Sequence, residues 1–190
     1  MRKDQAAFLR EKSQDILKQA ATALAFMNAK GWVHRDVKPD NVLVNSAGEV
    51  RIIDFAIAHR IEKPSLVGKL LRRKGKAQGT RSYMSPEQIR GKALDRRADI
   101  YSFGCMMFEL LTGRLPFTGN TENELLNKHL RSAPPAMEGV NPNVTIECSQ
   151  LVKRMLAKEP GKRPESMEEV VETVKAGKVF RSISAPAKKG

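Results

Sequence analysis

Long apolar runs are missing from this chain of 190 residues. Nothing approaches the roughly 18 consecutive apolar residues of a membrane-spanning helix, and the first segment is charged to its midpoint, unlike a secretory signal. The expectation is a cytoplasmic protein. Cysteine is nearly absent: Cys105 and Cys148 stand far apart, with neither CxxC nor Cys/His spacing, which excludes a zinc site or disulfide framework and leaves two buried thiols. Aromatics make up only 5% of the residues, so the core must be mostly aliphatic. Negative charge is also short: 21 Asp and Glu face 34 Lys and Arg, a net +13. That balance implies attraction to something anionic, whether nucleic acid, membrane, phosphate or an acidic protein surface.

What is present suffices for one folded unit. With 41% hydrophobic residues the chain can bury a single core and is not disordered as a whole. The positive excess is uneven: Arg60–Arg81 carries eight Lys and Arg against one Glu, a local +7. Periodicity fails across this stretch while Gly, Lys and Arg accumulate, marking a long functional loop. No aromatic residue interleaves with the basic run Lys69–Lys76, which argues against single-strand stacking and leaves no strong nucleic-acid signal. The run reads either as a solvated charge patch or as a docking surface for something acidic.

Helical spacing dominates elsewhere. Phe8, Ile16, Ala20, Leu24 and Met27 recur on one face of a helix from about Asp4 to Lys30, ended by Gly31. Val42–Val44 and Val50–Ile53, joined through Asn45-Ser46-Ala47-Gly48, predict a small β-hairpin. Ser85–Arg90 predicts a short turn, and Ala98–Leu111, apolar nearly all round, a central buried helix ended by Thr112-Gly113. Glu122–Arg131, Thr145–Lys158 and Glu165–Lys175 predict three amphipathic helices, and residues 181–190 a frayed basic tail.

The hairpin is flanked by Asp36 and Asn41 on one side and Asp54 on the other. A hairpin brings its ends together, so these oxygen donors should converge where they can share a divalent cation or a phosphate-bearing substrate. Lys38, in the same loop, suits phosphate neutralisation. Taken singly, such residues are more often turn and cap formers.

Their context resembles the eukaryotic-type serine/threonine protein kinases, the bacterial members most of all. His34-Arg35-Asp36-Val37-Lys38-Pro39-Asp40-Asn41 matches the catalytic loop H-R-D-L-x-x-x-N with Val for Leu. Asp54-Phe55-Ala56 stands where D-F-G belongs, and Gly79–Glu87 matches the stretch ending in A-P-E. Asp99–Gly104 resembles the buried helix that follows, and Lys162-Arg163-Pro164 completes a set of five motifs in order. The resemblance spans about Phe8 to Val174.

It implies a mainly α fold with a small β-hairpin, the C-terminal lobe of a kinase over residues 1–180, with the catalytic loop at 34–41 and the activation segment at 54–87. Asp36 would orient the substrate hydroxyl or take its proton. Asn41 and Asp54 would hold Mg²⁺ on the phosphates of ATP, Lys38 would stabilise the transferring phosphoryl group, and Thr80 would help position Asp36. Arg35 corresponds to the arginine that pairs with a phosphorylated activation loop in many relatives. His34, Phe55, Glu87, Asp99 and Arg163 would be structural, Glu87 and Arg163 as a buried ion pair and Asp99 as an anchor for the catalytic loop.

The match also breaks. The family's phosphate-covering loop is G-x-G-x-x-G, yet no two of the 13 glycines are separated by a single residue, and nothing resembles V-A-I-K. The N-terminal β lobe is therefore expected to be absent, and isolated residues 1–190 to transfer little phosphate. An upstream segment or a partner chain would have to supply that lobe. Ala56 replaces the D-F-G glycine, removing freedom where a positive φ would need it. Between Asp54 and Gly79 the only hydroxyl residue is Ser65. Two main readings remain open: the catalytic lobe of a serine/threonine kinase acting on proteins, acidic ones among them, and a non-catalytic, pseudokinase-like interaction module or truncated remnant; a nucleic-acid-binding protein driven by the +13 charge is a weaker third.

Overall fold

The computed structural model describes residues 3–60 and 81–181. Lys69–Lys76, Gly79, Thr80 and the tail beyond Arg181 lie outside the described residues.

Helix α1 (Lys3–Ala29) carries Ile16, Leu17, Ala20, Ala21 and Leu24 at helical spacing, all buried, and ends at Gly31, whose φ of 79° closes the turn. The chain then forms β1 (Trp32–Val33), a 3₁₀ turn at Pro39–Asn41, the hairpin strands β2 (Val42–Val44) and β3 (Val50–Ile52), and β4 (His59–Arg60). β2 and β3 pair antiparallel with Val42 opposite Ile52. Their turn is set by Asn45, whose Oδ1 accepts from the amides of Ala47 and Glu49, with Gly48 at φ 84°.

After the second described segment begins, α2 (Pro86–Ile89) opens with a capping box between Ser85 and Gln88. α3 (Arg97–Thr112) follows; Asp95 Oδ1 accepts from the Arg97 amide at 2.8 Å, and Gly113, at φ 72°, ends it. Helices α4 (Glu122–Arg131), α5 (Met137–Val140), α6 (Ile146–Met155) and α7 (Met167–Ala176) follow among the described residues, and Val144 bridges to Phe180.

α3 is the centre of the core. Ile100, Tyr101, Phe103, Cys105 and Met107 are fully buried along it, and α1, α5 and α6 pack around it, with α7 laid along α1. Both cysteines are free and buried, and burial pushes the Cys148 thiol up to about 12, so neither is a ready nucleophile. Among the described residues no helix is long and apolar enough to cross a membrane.

The fold is mainly α with a small β-hairpin, as the periodicity predicts, with several differences, among them the short α5, which falls in a stretch expected to be loop. β1 and β4, which no pattern announced, pair Val33 with His59 and close the loop that holds the catalytic-loop motif. The helix expected over Thr145–Lys158 stops at Met155, because Pro160 disfavours helix before it and Arg163 collects the carbonyls of Ala157 and Lys158. α7 begins at Met167 rather than Glu165, with Ser166 Oγ accepting from the Glu169 amide as its cap.

Candidate active site

The catalytic-loop motif follows β1 and lies over the N-terminal half of α3. His34 and Arg35 present their backbone N–H groups to the two oxygens of Asp99, at 2.8 and 2.9 Å, and Asn28 on α1 donates to the same carboxylate at 3.0 Å. Asp99 is fully buried, and these N–H donors supply the hydrogen bonds that a buried carboxyl group needs. Burial pushes its carboxyl upward, and the donors from Arg35, His34 and Asn28 oppose that shift.

The loop backbone is turned sharply here. Arg35 has φ 70°, one of two non-glycine residues with positive φ among those described. His34 is fully buried; its Nδ1 accepts from the Asp36 amide at 3.3 Å, which leaves the ring proton on Nε2 to donate to the Ile53 carbonyl at 3.2 Å. His34 thereby links the catalytic loop to the end of β3, and its ring lies 5.2 Å from that of Phe55. The Ile53 amide closes the same junction by donating to the Asn41 carbonyl at 3.0 Å.

Asp36, Lys38 and Asn41 form one cluster. Lys38 Nζ lies 2.8 Å from Asp36 Oδ2, and Asn41 Nδ2 donates both to that oxygen at 3.1 Å and to the Asp36 carbonyl at 2.7 Å. Asp36 and Asn41 are buried, and Lys38 is partly so. With the Asn41 amide nitrogen committed to Asp36, its Oδ1 is the end left for a cation. Asp54, the second residue with positive φ (61°), sits one residue past the Ile53 junction and is exposed, its Oδ1 accepting from the Ala56 amide at 3.2 Å. One carboxylate and one amide oxygen are hard donors of the kind Mg²⁺ takes beside phosphate and water. Among the described residues no three His, Cys, Asp or Glu side chains cluster as a self-sufficient metal cage.

Ala56 does not occupy the left-handed region. The positive φ falls on Asp54 instead, so the alanine sits in backbone that any residue adopts. Phe55, next to Asp54, is exposed by 54%.

Glu87 and Arg163, from α2 and the loop before α7, meet as a buried bidentate pair at 2.6 and 2.8 Å. Tyr83 donates to Glu109, Ser102 Oγ donates to the Tyr83 carbonyl at 2.7 Å, and Arg81 pairs with Glu122, so residues 81–87 are held against α3 and α4. Arg35 Nε is buried with no hydrogen-bond partner among the described residues. Thr80 lies outside them.

Three amide side chains hold these parts in place that sequence reasoning did not single out. Gln19 on α1 donates to the Gly48 carbonyl at 2.9 Å and accepts from the Val50 amide, docking the hairpin. Asn28 supports Asp99 and also donates to the Trp32 carbonyl, and Gln88 donates to the Arg35 carbonyl. Glutamine and asparagine on helices carry no signature of their own. Their partners lie up to 71 residues away, so the only cue is a polar residue on an otherwise apolar face.

The family model described as the protein kinase domain matches residues 1–174. This chain belongs to the protein kinase domain family. Over 168 residues it is 35% identical to a probable serine/threonine-protein kinase of Streptomyces coelicolor, covering 88% of this chain and 24% of the relative. Serine/threonine-protein kinase pkn2 of Myxococcus xanthus is 35% identical over 178 residues, 90% of this chain and 21% of the relative. PknB of Mycolicibacterium smegmatis is 35% identical over 156 residues, 82% and 24% of the two chains. The chain thus spans under a quarter of the length of these relatives. What it shares with this kinase family is the helical lobe, with the catalytic-loop motif seated on α3.

Proposed function

We infer that the chain is the catalytic lobe of a serine/threonine protein kinase, taking part in Mg²⁺- and ATP-dependent transfer of a phosphoryl group to protein hydroxyls. The observation that carries this reading is Asp36 Oδ2, held at once by Lys38 Nζ and Asn41 Nδ2. Such a carboxylate is fixed in direction and able to orient a substrate hydroxyl and accept its proton, while Lys38 meets the charge that develops on the phosphoryl oxygens. Asn41 Oδ1 and Asp54 would hold Mg²⁺, which supplies neutralisation of the phosphate charge. Thr80, by its place in the sequence, would support the acceptor segment. Glu87, Arg163 and Asp99 hold backbone rather than reactants.

Phosphoryl transfer is mostly positioning, and no phosphate-covering G-x-G loop occurs within these 190 residues. The lobe therefore acts when an N-terminal lobe is contributed, from upstream sequence or another chain. The local +7 of Arg60–Arg81, within the stretch assigned to the activation segment, favours acidic protein substrates. The second reading, a non-catalytic interaction module, draws support from exposed large apolar side chains, Leu43 and Phe55 among them.

The test compares phosphate transfer from radiolabelled Mg-ATP to Ser/Thr peptides by residues 1–190 and by the same chain fused behind an N-terminal lobe from a bacterial relative. The expected result is background transfer by the former and turnover by the latter, abolished by Asp36→Ala. An inactive fusion that is folded favours the interaction module. Robust transfer by residues 1–190 alone, lost in Asp36→Ala, would sink the requirement for a second lobe.

A further inference from the structure

Gln88 sits at the third position of α2, and both ends of its carboxamide are engaged. Oε1 accepts from the Ser85 amide at 3.0 Å and from Ser85 Oγ at 2.9 Å, and Nε2 donates to the Arg35 carbonyl at 2.9 Å, across 53 residues of sequence. The amide's orientation follows from its partners. The Ser85 N–H, which can only donate, faces the oxygen and a carbonyl, which can only accept, faces the nitrogen, so the reversed amide would lose both of those bonds and could keep only a contact with the Ser85 hydroxyl. Capping α2 needs only the oxygen. The nitrogen is doing something else.

Its partner is the strained residue of the catalytic loop. A non-glycine residue at φ 70° persists only where its surroundings over-determine it. Asp99 holds the Arg35 N–H and Gln88 holds the Arg35 C=O, so both ends of the residue are clamped by different helices. The Arg35 carbonyl shares one planar peptide unit with the Asp36 N–H. Fixing that carbonyl fixes the tilt of the plane from which Asp36 departs. The other restraint on the plane is the Asp36 amide to His34 Nδ1 at 3.3 Å, beyond the usual range for such a bond.

We propose that Gln88 is a positioning residue for Asp36: through the Arg35–Asp36 peptide it ties the direction of the Asp36 carboxylate to the Ser85-capped start of α2. The end of the activation segment and the catalytic loop then move as one unit. This deepens the kinase reading and rests on it for the role of Asp36, whereas the tether itself does not. Glutamate at 88 would keep both bonds to Ser85 but turn a carboxylate oxygen toward the Arg35 carbonyl, acceptor against acceptor. Asparagine is one methylene too short to span both partners.

The tether is tested by NMR on the isotope-labelled chain of residues 1–190. In the wild type a Gln88 side-chain amide proton should be protected from exchange; exchange at the solvent rate overturns the proposal, without need of any variant. In Gln88→Glu the Arg35 and Asp36 amides should exchange about three- to tenfold faster relative to α3 amides, the loss of one net hydrogen bond. Equal acceleration throughout, or none at Asp36, overturns it. Ser85→Ala, which removes the cap but not the tether, should speed the Gln88 backbone amide and leave Asp36 unchanged. In the fusion bearing an N-terminal lobe, Gln88→Glu should lower kcat while KM for ATP stays put; unchanged kcat, with the tether shown lost by NMR, refutes the positioning role. A folded but inactive wild-type fusion with Gln88 protected overturns the kinase reading and the assignment to Asp36, and leaves only the tether.

Discussion

Arg163 grips Glu87 with both terminal guanidinium nitrogens, at 2.6 and 2.8 Å, and spends its remaining donors on the carbonyls of Ala157, Arg97 and Lys158. One side chain thereby joins α2, the start of α3 and the loop before α7. The guanidinium also lies over the Tyr101 ring, 4.9 Å from its centroid.

Removing either partner leaves the other charge buried and unpaired, which costs about 3–5 kcal/mol. Arg163→Ala and Glu87→Ala should each lower stability by that order in urea unfolding followed by circular dichroism. Their effects should fall short of additive by at least about 1 kcal/mol, because one interaction is lost twice. Arg163→Lys should recover little, since an ammonium cannot serve a fork of acceptors at fixed angles. Full additivity would refute direct coupling.

His129 on α4 makes the fold acid-sensitive. It is completely buried, its Nδ1 lies 3.0 Å from Tyr101 Oη, and Lys158 Nζ stands 3.2 Å from the same oxygen and 4.0 Å from the Phe117 ring centre. Burial first, and the Lys158 charge second, lower its pKa to about 4. The unfolded chain, at about 6.5, takes up the proton first, so the contribution of neutral His129 is complete above pH 6.5 and is lost as pH falls toward 4. The loss is of order 3 kcal/mol. Lys158, lowered to about 8 by burial, titrates outside that window. Urea unfolding of wild type and His129→Gln from pH 7 to 4 should give curves that converge by about that amount on acidification; parallel curves would show that His129 is not the group responsible.

At Gly104, α3 packs closely against the C-terminal end of α6. A Cβ there would stand 2.9 Å from Met155 Cβ and 3.3 Å from Leu156 Cδ2, and Met155 Cβ is too near its own backbone to swing aside. Alanine gains about 1 kcal/mol in helix propensity, but overpacking costs about 1–3 kcal/mol. Gly104→Ala should therefore be net destabilising by about 1 kcal/mol, a Tm lower by about 2–4 °C on heating. A raised Tm would mean that the two helices separate freely.

Periodicity made the helices legible because each buries one apolar face in the shared core: Ile16, Leu17, Ala20 and Leu24 on α1, and Met167, Val170, Val171 and Val174 on α7, recur at spacings only a helix can bury together. The hairpin was legible through Asn45 and Gly48, whose turn chemistry is local. The pairing of β1 with β4 was not, since strands of two residues carry no period and exist only because the chain between them folds back. The catalytic-loop residues stood out by motif, and the geometry around them divides into two kinds. Asp36, Lys38 and Asn41 meet within five residues of chain and need only a local turn. Asn28, Gln19 and Gln88 reach the site from distant helices, so their contribution appears only once the helices are packed.

The alanine in place of the motif glycine at position 56 is the departure with the clearest consequence. Its φ is not positive, it is exposed, and the interaction it makes with Asp54 uses its backbone N–H, which glycine also has. The strain sits on Asp54 at φ 61°, and Asp54 Oδ1 relieves it by closing a turn onto the Ala56 amide. Restoring glycine therefore adds no contact and frees only the unfolded chain. Ala56→Gly should lower stability by about 0.4–1 kcal/mol in urea unfolding. Paramagnetic broadening of the Asp54 and Asn41 amides by added Mn²⁺, a stand-in for Mg²⁺, should be the same in variant and wild type. Stronger broadening in Ala56→Gly would show that alanine holds Asp54 away from a cation, and the departure from the motif would then be an impairment rather than an accommodated change.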